Sequence, residues 1–402
     1  MVQPRIVALA ALASIGLAAC GGSSTSGGGT ANKPTKVQIA AEGPFTGDEA
    51  SIGGGALRGI QLAVNDFNKA GGVNGTNVQL VIYDDNHSAS TATTLEAQAI
   101  SDPTVLGIVG PMNSSVVEGV EPGLQGASPP LPFVSESASA VLVTESGFSV
   151  AHRVCARDDA QGPADGRFMI DQGAKKVEVI DSATNYSRPL AKAVVTYLQS
   201  KGTGIQIQQD SAPNGTTNFS TIVTKIRSFN ADWVYYADEG QDVAPLVLQL
   251  KNAGLSIGQN IQFLGSDGTE DSSIITKSQG AYDGAYATNI TADPAGSSSS
   301  AATDMVTRYK AANGADSLGS AGPFYGSAYE ATQVLLAAIK ASPVKNGAIS
   351  RADVLSNLSS GTFNTIFGSV KFDSKGDVQT GGIFVYKATG PNMVVVKQIT
   401  GA

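Results

Sequence analysis

The fold is decided by the stretch that begins with VQIA at residues 37–40 and ends with VQLVIY at residues 78–83. Both segments have the apolar patterns of β-strands, whereas apolar residues recur every three or four positions from Leu57 to Phe67, which is the period of an α-helix. Gly71-Gly72 ends the helical pattern. Two strands joined by such a helix run parallel, with the helix packed on the sheet. The sequence therefore predicts a βαβ unit.

The same alternation continues along the chain and starts afresh near Asp158. We predict further strands at residues 105–109, 132–134, 177–180, 205–207, 233–236 and 261–264, and helices at residues 93–100, from 114 onward, 187–198, 219–226 and 243–250. Strands that alternate with helices form parallel sheets covered on both faces. Two such runs predict an α/β fold with two doubly wound, Rossmann-like lobes.

The last third of the chain departs from strict alternation. We predict helices at residues 304–312 and 327–341, a polar loop at 295–300, and antiparallel strands at 370–373, 381–387 and 393–397 around a turn at 374–377. A tail of this kind passes between the lobes more than once, which predicts a multi-crossover hinge. The expected boundaries are residues 36–158 and 290–378 for lobe I, and residues 159–289 and 379–402 for lobe II.

The N-terminal residues 1–19 have the layout of an export signal, with a positive charge at Arg5 and an apolar run too short to span a bilayer. The following Leu17-Ala18-Ala19-Cys20 resembles the lipobox of bacterial lipoproteins. We therefore expect cleavage before Cys20 and lipidation of its thiol. Residues 20–35 are rich in Gly, Ser and Thr, which predicts a flexible tether. The alternative is an ordinary secretory signal with an incidental cysteine.

Composition excludes several classes of function. The 402 residues carry a formal net charge of −8, and an acidic surface repels nucleic-acid phosphates. A zinc site or cysteine–histidine catalysis would need His87, His152 and Cys155, and their spacing supports neither. The glycines at 53–55 and 59 have the wrong spacing for dinucleotide binding, and we interpret them as turns. We expect no cofactor, no metal ion, no nucleic-acid partner and no enzymatic activity.

Three strand ends carry groups that suit a charged ligand. Gly110 to Ser115 follows one strand and Ser135 to Ser139 the next, so that hydroxyls and helix-start amides form an anion site. Asp267 follows a strand of the second run. In doubly wound sheets ligands bind beyond the carboxyl ends of strands. An anion site on one lobe opposite a carboxylate on the other suits a zwitterion, although each piece alone is also an ordinary cap or turn.

The order of these pieces resembles the branched-chain amino acid substrate-binding proteins of ABC transporters, which have the periplasmic binding protein type I (Venus-flytrap) fold. The resemblance runs from Val37 to the C-terminus. It depends on the motifs AGGVNG at 70–75, YDD at 83–85, GPMNSS at 110–115, RDDAQG at 157–162, NFS at 218–220 and DWVYY at 232–236.

The resemblance implies roles for individual residues. Ser114 would hold the ligand carboxylate, with Ser137 and Ser139 binding carboxylate and ammonium. Tyr186 would form an aromatic lid, and Asp267 would pair with the ammonium. The complete expected ligand-binding set is Ser114, Ser115, Ser137, Ala138, Ser139, Tyr186, Glu239, Asp267 and Phe324, with Phe324 in the side-chain pocket.

Three positions depart from the family pattern. Ile52 and Glu239 stand where some members have tyrosines, and Glu136 replaces the usual proline of the serine-rich turn. Glu239 is either a solvated loop residue or a ligand contact. In the second case the preferred ligand carries an extra hydrogen-bond donor rather than a plain aliphatic side chain.

The implied function is ligand capture by hinge closure, as the extracytoplasmic, lipid-anchored component of an ABC importer. We expect a small amino acid as ligand, with the branched-chain type first, ABC permease subunits as partners, the Cys20 lipid as anchor, and a monomer. Two alternatives stay open. The first is a sensing module of the same fold for an amide, urea or other amino-acid-like ligand that reports to a receptor. The second is a lipid-anchored hydrolase.

Overall fold

A computed structural model describes residues 33–240, 242–379 and 381–399. The predicted export signal, the lipidation site at Cys20 and the tether up to residue 32 lie outside the described residues. No helix within the described ranges is long and apolar enough to cross a membrane.

The chain alternates strands and helices for most of its length. The strands of the described residues are β1 (Val37–Gly43), β2 (Val78–Asp84), β3 (Val105–Val109), β4 (Phe133–Ser135), β5 (Ala151–Arg153), β6 (Lys176–Asp181), β7 (Gln206–Ser211), β8 (Trp233–Ala237), β9 (Gln262–Gly265), β10 (Tyr286–Asn289), β11 (Val344–Lys345), β12 (Ala348–Ile349), β13 (Phe363–Thr365), β14 (Gly368–Val370), β15 (Ile383–Thr389) and β16 (Asn392–Ile399).

The helices of the same residues are α1 (Ala50–Lys69), α2 (Ala89–Ser101), α3 (Ser114–Gly126), α4 (Leu142–Glu145), α5 (Asp158–Asp171), α6 (Ser187–Ser200), α7 (Ser220–Phe229), α8 (Val243–Asn252), α9 (Ser272–Lys277), α10 (Ser300–Asn313), α11 (Tyr325–Ala341) and α12 (Arg351–Ser360). Short 3₁₀ turns add Asp267–Thr269, Pro294–Gly296 and Ser317–Ser320.

Lobe I is built on a five-stranded parallel sheet with the order β2-β1-β3-β4-β5. All five residues of β3 are buried, as expected for a central strand covered on both faces. The chain reverses its winding direction between β1 and β3. The carboxyl ends of these two strands therefore border the crevice in which such sheets bind ligands.

Lobe II repeats this plan in the order β7-β6-β8-β9-β10, again parallel. Its sheet continues through β15, antiparallel to β10, and then β16. The predicted α/β architecture of two doubly wound lobes is confirmed.

Glycines in α1 allow a close helix contact, which corrects their interpretation as turns. A Cβ atom at Gly55 would lie 1.4 Å from the carbonyl oxygen of Ala321, and one at Gly59 would lie 2.2 Å from that of Tyr325. Only glycine fits against backbone at such distances. The cluster therefore lets α1 pack against the start of α11, on the sheet of lobe I.

The connections between the two sheets are fastened by a buried arginine. Arg153, at the end of β5, is 0% exposed, and its Nε donates to Asp377 Oδ1 at 2.6 Å. The backbone N–H of Ala156 donates to the carbonyl oxygen of Ile290 at 3.0 Å. Segments far apart in sequence therefore lie side by side where the chain passes from one sheet to the other.

The predicted strand arrangement of the last third is partly wrong. β14 ends at Val370 and pairs with β13, while Phe372 makes only an isolated bridge to Val378. Residues 374–377 form a turn because Asp373 Oδ1 accepts from the backbone N–H groups of Lys375 and Asp377, at 2.8 and 3.0 Å. The strands near 381–387 and 393–397 pair with each other rather than across that turn.

The predicted polar loop at 295–300 is shorter than expected. A 3₁₀ turn spans Pro294–Gly296, and α10 begins at Ser300. Sequence patterns also missed α5, whose Gly162, Pro163 and Gly166 weaken the apolar period. These glycines serve packing, since a Cβ at Gly162 would lie 2.6 Å from the Cβ of Ala193 in α6.

Candidate ligand-binding site

A cavity lies where the carboxyl ends of both sheets face each other. Its empty volume is about 350 Å³, which includes space open to solvent. The lining residues come from the loops after β1, β3 and β4 in lobe I and after β6, β8 and β9 in lobe II, together with the residue before α11. They are Glu49, Ile52, Met112, Asn113, Ser114, Ser137, Ser139, Tyr186, Glu239, Asp267, Gly268 and Phe324.

The lobe I wall offers hydrogen-bond donors around Ser114. This residue opens α3, so its backbone N–H belongs to the first helical turn, whose amides have no partner within the helix. Its Oγ accepts a hydrogen bond from the backbone N–H of Ala140 at 3.1 Å, which leaves the hydroxyl proton available. A helix start with a free hydroxyl and amide suits a carboxylate.

The serine-rich turn beside α3 is held by its own hydrogen bonds. Ser137 Oγ donates to the carbonyl oxygen of Met112 at 2.9 Å, and the N–H of Ala138 donates to Ser135 Oγ at 3.0 Å. Arg153 Nη1 also donates to the carbonyl oxygen of Ala138 at 2.9 Å. Ser139 Oγ is buried and has no hydrogen-bond partner among the described residues. It therefore remains available to a ligand.

The lobe II wall carries a buried carboxylate. The Tyr186 hydroxyl donates to Asp267 Oδ1, and the described residues surround this carboxyl group with hydroxyl and amide groups rather than a cation. Burial raises the pKa of Asp267 to about 6, against the lowering effect of the Tyr186 hydrogen bond. Asp267 is thus largely ionised at neutral pH.

Asp158, at the start of α5, lies close enough to influence this carboxylate. Burial and then the charge of Asp267 raise the pKa of Asp158 to about 8. Asp158 is therefore mostly protonated at neutral pH, and Asp267 carries the negative charge of the pair. A cation placed at Asp267 would meet a buried charge that forms no ion pair within the described part of the chain.

A second polar group lies at one side of the cavity. It consists of Glu49, His87, Asn113 and Glu239. His87 Nδ1 lies 2.5 Å from Glu49 Oε1, and His87 Nε2 lies 3.6 Å from Glu239 Oε1. Asn113 Nδ2 donates to Glu49 Oε2 at 2.9 Å and to Glu239 Oε1 at 3.5 Å. Glu239 comes from lobe II and the other three from lobe I, so this group joins the lobes.

The charges of this group are strongly coupled. Burial alone would lower the pKa of His87, but the hydrogen bond that its ring donates to Glu49 and the charges of Glu239 and Glu49 raise it to about 9. Burial raises the pKa of Glu239 to about 8, against the effect of His87. Candidate ligand atoms of Glu49, His87 and Glu239 lie within 4.8 Å of one another. A metal ion would have to displace the proton that makes His87 a cation, since only neutral imidazole coordinates metals.

Most of the predicted site residues lie around the one cavity. Those that line it are Ser114, Ser137, Ser139, Tyr186, Glu239, Asp267 and Phe324. Ser115 and Ala138 do not line it: Ser115 Oγ lies 3.2 Å from His87 Nε2, and the Ala138 backbone is bonded within the turn and to Arg153. His152 and Cys155, considered for catalysis, are buried away from the cavity lining.

Sequence reasoning missed several residues of the site. Glu49, Met112, Asn113 and Gly268 line the cavity, and His87 lies directly behind Glu49. Asn113 immediately precedes Ser114 within the GPMNSS motif at 110–115, so its position was a usable signal. No local pattern marks Glu49 or His87, because their roles arise from contacts across the cleft.

Comparisons with known proteins agree with this architecture. The sequence model described as "Periplasmic binding protein" matches residues 36–391. A leucine-, isoleucine-, valine-, threonine- and alanine-binding protein of Pseudomonas aeruginosa is 28% identical over 355 residues, which cover 87% of this chain and 89% of that protein. A Leu/Ile/Val-binding protein of Escherichia coli is 25% identical, over 88% of this chain and 92% of that protein.

The crystal structure of a leucine-binding protein from Thermotoga maritima is similar over 90% of this chain and 99% of that one, with a TM-score of 0.80 and 25% identity. The two-lobed fold, the cavity between the strand ends and the family match over residues 36–391 agree. This chain belongs to the periplasmic binding protein family.

Proposed function

We propose that this protein captures a free amino acid outside the cytoplasm and delivers it to the membrane permease of an ABC importer. One observation carries the proposal: a cavity between the strand ends of the two lobes has hydroxyl and amide donors on its lobe I wall and the buried carboxyl group of Asp267 on its lobe II wall. This arrangement is complementary to a zwitterion. The names of the relatives in Pseudomonas aeruginosa and Escherichia coli support an amino acid, including the branched-chain type.

The ligand carboxylate would bind first to lobe I. The Ser114 hydroxyl and the first amides of α3 are held in place by backbone hydrogen bonds before any ligand arrives. Such preorganised donors lose little freedom on binding. Ser139 Oγ, buried without a partner in the described part of the chain, would complete the carboxylate site or accept from the ammonium.

The ammonium would then recruit lobe II. Asp267 would form a charge-assisted hydrogen bond with it, and Tyr186 holds that carboxylate in place. Ile52, Met112 and Phe324 supply the apolar part of the lining. Hinge closure that buries both charges excludes water and strengthens the ion pair. Closure around the ligand would generate the form that docks on the permease.

Contacts between the lobes support a closed arrangement of this kind. Ser51 Oγ donates to Asp271 Oδ2 at 2.9 Å, and Asn185 Nδ2 donates to Glu118 Oε2 at 2.9 Å. Each bond joins one lobe to the other beside the cavity. They hold the cleft shut without using the residues that would touch the ligand.

The test is calorimetry of the purified soluble domain against all common L-amino acids and their amides. At least one is expected to bind with a dissociation constant in the micromolar range or below, and mass spectrometry of the denatured protein should identify any retained ligand. The absence of binding to every member of the panel would overturn the proposal. Uptake of the labelled ligand by cells lacking this protein, with and without complementation, then tests the transport role.

The proposal also includes a monomer that is anchored through lipidated Cys20. Leu17-Ala18-Ala19-Cys20 and the Gly/Ser-rich segment after it support the anchor, which would raise the local concentration of the binding domain at the permease. Cells fed an alkyne-labelled fatty acid should label the wild-type protein and not Cys20→Ser. Labelling of the variant would overturn the anchor. Light scattering of the soluble domain tests the monomer.

A further inference from the structure

Two buried side-chain oxygens at the side of the cavity have no hydrogen-bond partner among the described residues. Glu239 Oε2 and Asn113 Oδ1 make no hydrogen bond within the described residues, although Glu239 is only 8% exposed and Asn113 only 6%. Both residues line the cavity. A buried acceptor without a donor costs free energy, and such atoms are rare unless a ligand or water supplies the donor.

The orientation of the Asn113 amide is set by its neighbours. Its Nδ2 donates to carboxylate oxygens of both Glu49 and Glu239. Rotating the amide would place Oδ1 against those two oxygens and replace two hydrogen bonds with two repulsions. The Oδ1 atom is therefore fixed as an acceptor that neither carboxylate can satisfy.

The remaining donors of this group are already used. The single cation, His87, has its two ring nitrogens directed at Glu49 and at Glu239 or Ser115. Both oxygens of Glu49 are occupied, one by His87 and one by Asn113. Glu239 Oε2 and Asn113 Oδ1 are thus the open positions of an otherwise completed polar network.

We propose that the side chain of the amino acid ligand donates N–H hydrogen bonds to Glu239 and Asn113, so that the cavity selects an amide or amine side chain over an aliphatic one. This inference rests on the proposed function, because it takes the ligand to be an amino acid whose carboxylate and ammonium lie between Ser114 and Asp267. It assigns to Glu239 and Asn113 the choice among amino acids.

The physical basis of selection is the penalty on the wrong side chain. An aliphatic side chain would displace water from Glu239 Oε2 and Asn113 Oδ1 and offer no donor in return. Sites built to hydrogen-bond a polar group reject the apolar analogue far more strongly than apolar pockets reject polar ones. An N–H donor would satisfy both atoms at once, and a charged one would also stabilise the ionised form of Glu239.

The experiment uses pairs of ligands that match in shape. Asparagine is compared with leucine, which tests a neutral amide, and ornithine with norleucine, which tests a cation. Calorimetry on the wild-type protein should give at least one polar member that binds about tenfold or more tightly than its apolar counterpart. Leucine and norleucine binding as tightly as asparagine and ornithine, or more so, would overturn the inference.

Two substitutions of Glu239 locate the effect. Glu239→Leu should make the polar ligand and its apolar counterpart bind equally tightly or reverse their order, since the buried carboxyl group is removed. Glu239→Gln keeps the shape and an acceptor oxygen but cannot ionise beside a cationic side chain, so it should weaken ornithine strongly and asparagine only slightly. If both variants keep the wild-type ratio while they unfold at the wild-type temperature, Glu239 does not select the ligand.

The outcomes separate this inference from the proposed function. Binding of leucine and norleucine at least as tight as that of asparagine and ornithine would overturn the inference and leave capture of an amino acid intact. Failure of the whole amino-acid panel would remove both. Asn113→Leu, measured with the same ligand pairs, provides an independent check. Loss of Oδ1 should also reduce the preference for the polar member of each pair.

Discussion

The two walls of the cleft differ in the chemical groups they present and in how well those groups are held in place without a ligand. The lobe I wall presents hydroxyls and helix-start amides, and its key atoms are held by bonds such as that from the Ala140 N–H to Ser114 Oγ. The lobe II wall presents Asp267 and Glu239, whose pKa values are raised by burial to about 6 and about 8. The donors around Ser114 in lobe I are therefore held in place without a ligand, whereas Asp267 of lobe II is buried without a cationic partner among the described residues.

This difference indicates which lobe binds first and which one responds. Neutral donors are readily solvated in an open cleft and need no counter-ion. A carboxylate that is buried on closure needs a cation to offset its desolvation, and the ligand ammonium would provide it. Closure without ligand would leave Asp267 buried and unpaired. The lobe II wall can thus act as the sensor of a bound amino acid.

The largest effect is expected from removing the charge of lobe II. Asp267→Ala should lower affinity for the tightest amino acid of the panel by about a hundredfold or more, because truncating one partner of a buried charge pair leaves the ammonium desolvated and unpaired. Calorimetry at pH 7.5 measures this loss. Thermal unfolding of the ligand-free variant should show no loss of stability, since a buried uncompensated carboxylate is removed.

Asp304→Ala serves as the matched control. Asp304 is exposed on α10 and does not line the cavity, so the same substitution there should leave affinity unchanged. If Asp267→Ala binds the ligand as tightly as the wild type does, the lobe II carboxylate is not the ammonium site.

The next effect tests the lobe I wall. Ser114→Ala removes a hydroxyl expected to donate to the ligand carboxylate, and a hydrogen bond to a charged group contributes about 1.5–3 kcal/mol, so affinity should fall about tenfold or more. Ser115→Ala is the control on the adjacent residue. The Ser115 hydroxyl lies against His87 rather than in the cavity, so its loss should change affinity less than about threefold. Equal losses for the two variants would contradict the assigned geometry.

The strand-end loops were predictable because their signals are local. A buried strand followed by a short polar turn marks the carboxyl end of a parallel strand, and this pattern placed Ser114, Ser137 and Asp267 at the crevice. The resemblance to a known family then supplied their roles. Most strands and helices followed from apolar periodicity in the same way, since each element carries its own period.

The rest depended on which distant segments meet. The bond from Asn113 to Glu239 joins residues 126 positions apart in different lobes, and no pattern within either segment records it. His87 follows β2, and it reaches the site only because a turn places it opposite Glu49. Its backbone φ is 56°, with its N–H bonded to Asp85 Oδ1 at 2.8 Å. Helix α5 was missed because its glycines, which allow close packing against α6, interrupt the apolar period that marks a helix.

A smaller effect is expected from pH, and it also falls on the lobe II wall. Because the ligand ammonium should bind ionised Asp267, affinity should be nearly constant above the pKa of about 6 and fall as pH drops through it. The Tyr186 hydroxyl bonds to the ionised carboxylate and holds this pKa down. Tyr186→Phe should therefore move the midpoint of the affinity profile above pH 6 and weaken binding at pH 7 about fivefold.

Calorimetry from pH 5 to 8 measures both profiles. Asp158 contributes to them as well, because burial and the charge of Asp267 raise its pKa to about 8. Asp158→Asn separates the two groups, because it removes the second titration and leaves Asp267 in place. A Tyr186→Phe profile with the same midpoint as the wild type would mean that the hydroxyl does not support the charge of Asp267.

The smallest effect should come from a contact that joins the lobes without touching the ligand. Ser51→Ala removes the hydrogen bond to Asp271 Oδ2, which weakens the closed state but leaves Asp271 bonded to the backbone N–H and hydroxyl of Ser273. No buried charge is left unpaired, so affinity should fall only about twofold to threefold. Ser300→Ala, at an exposed position of α10, controls for the substitution itself.

This last variant distinguishes two views of closure. If the ligand ammonium provides most of the free energy that holds lobe II in place, Ser51→Ala should change affinity slightly, and it should change it by the same factor in the Asp267→Ala background. A loss comparable to that of Asp267→Ala would mean that direct lobe–lobe contacts dominate. Lobe II would then close without help from the ligand. The distinction between a preorganised lobe I and a lobe II that responds to the ligand would then be wrong.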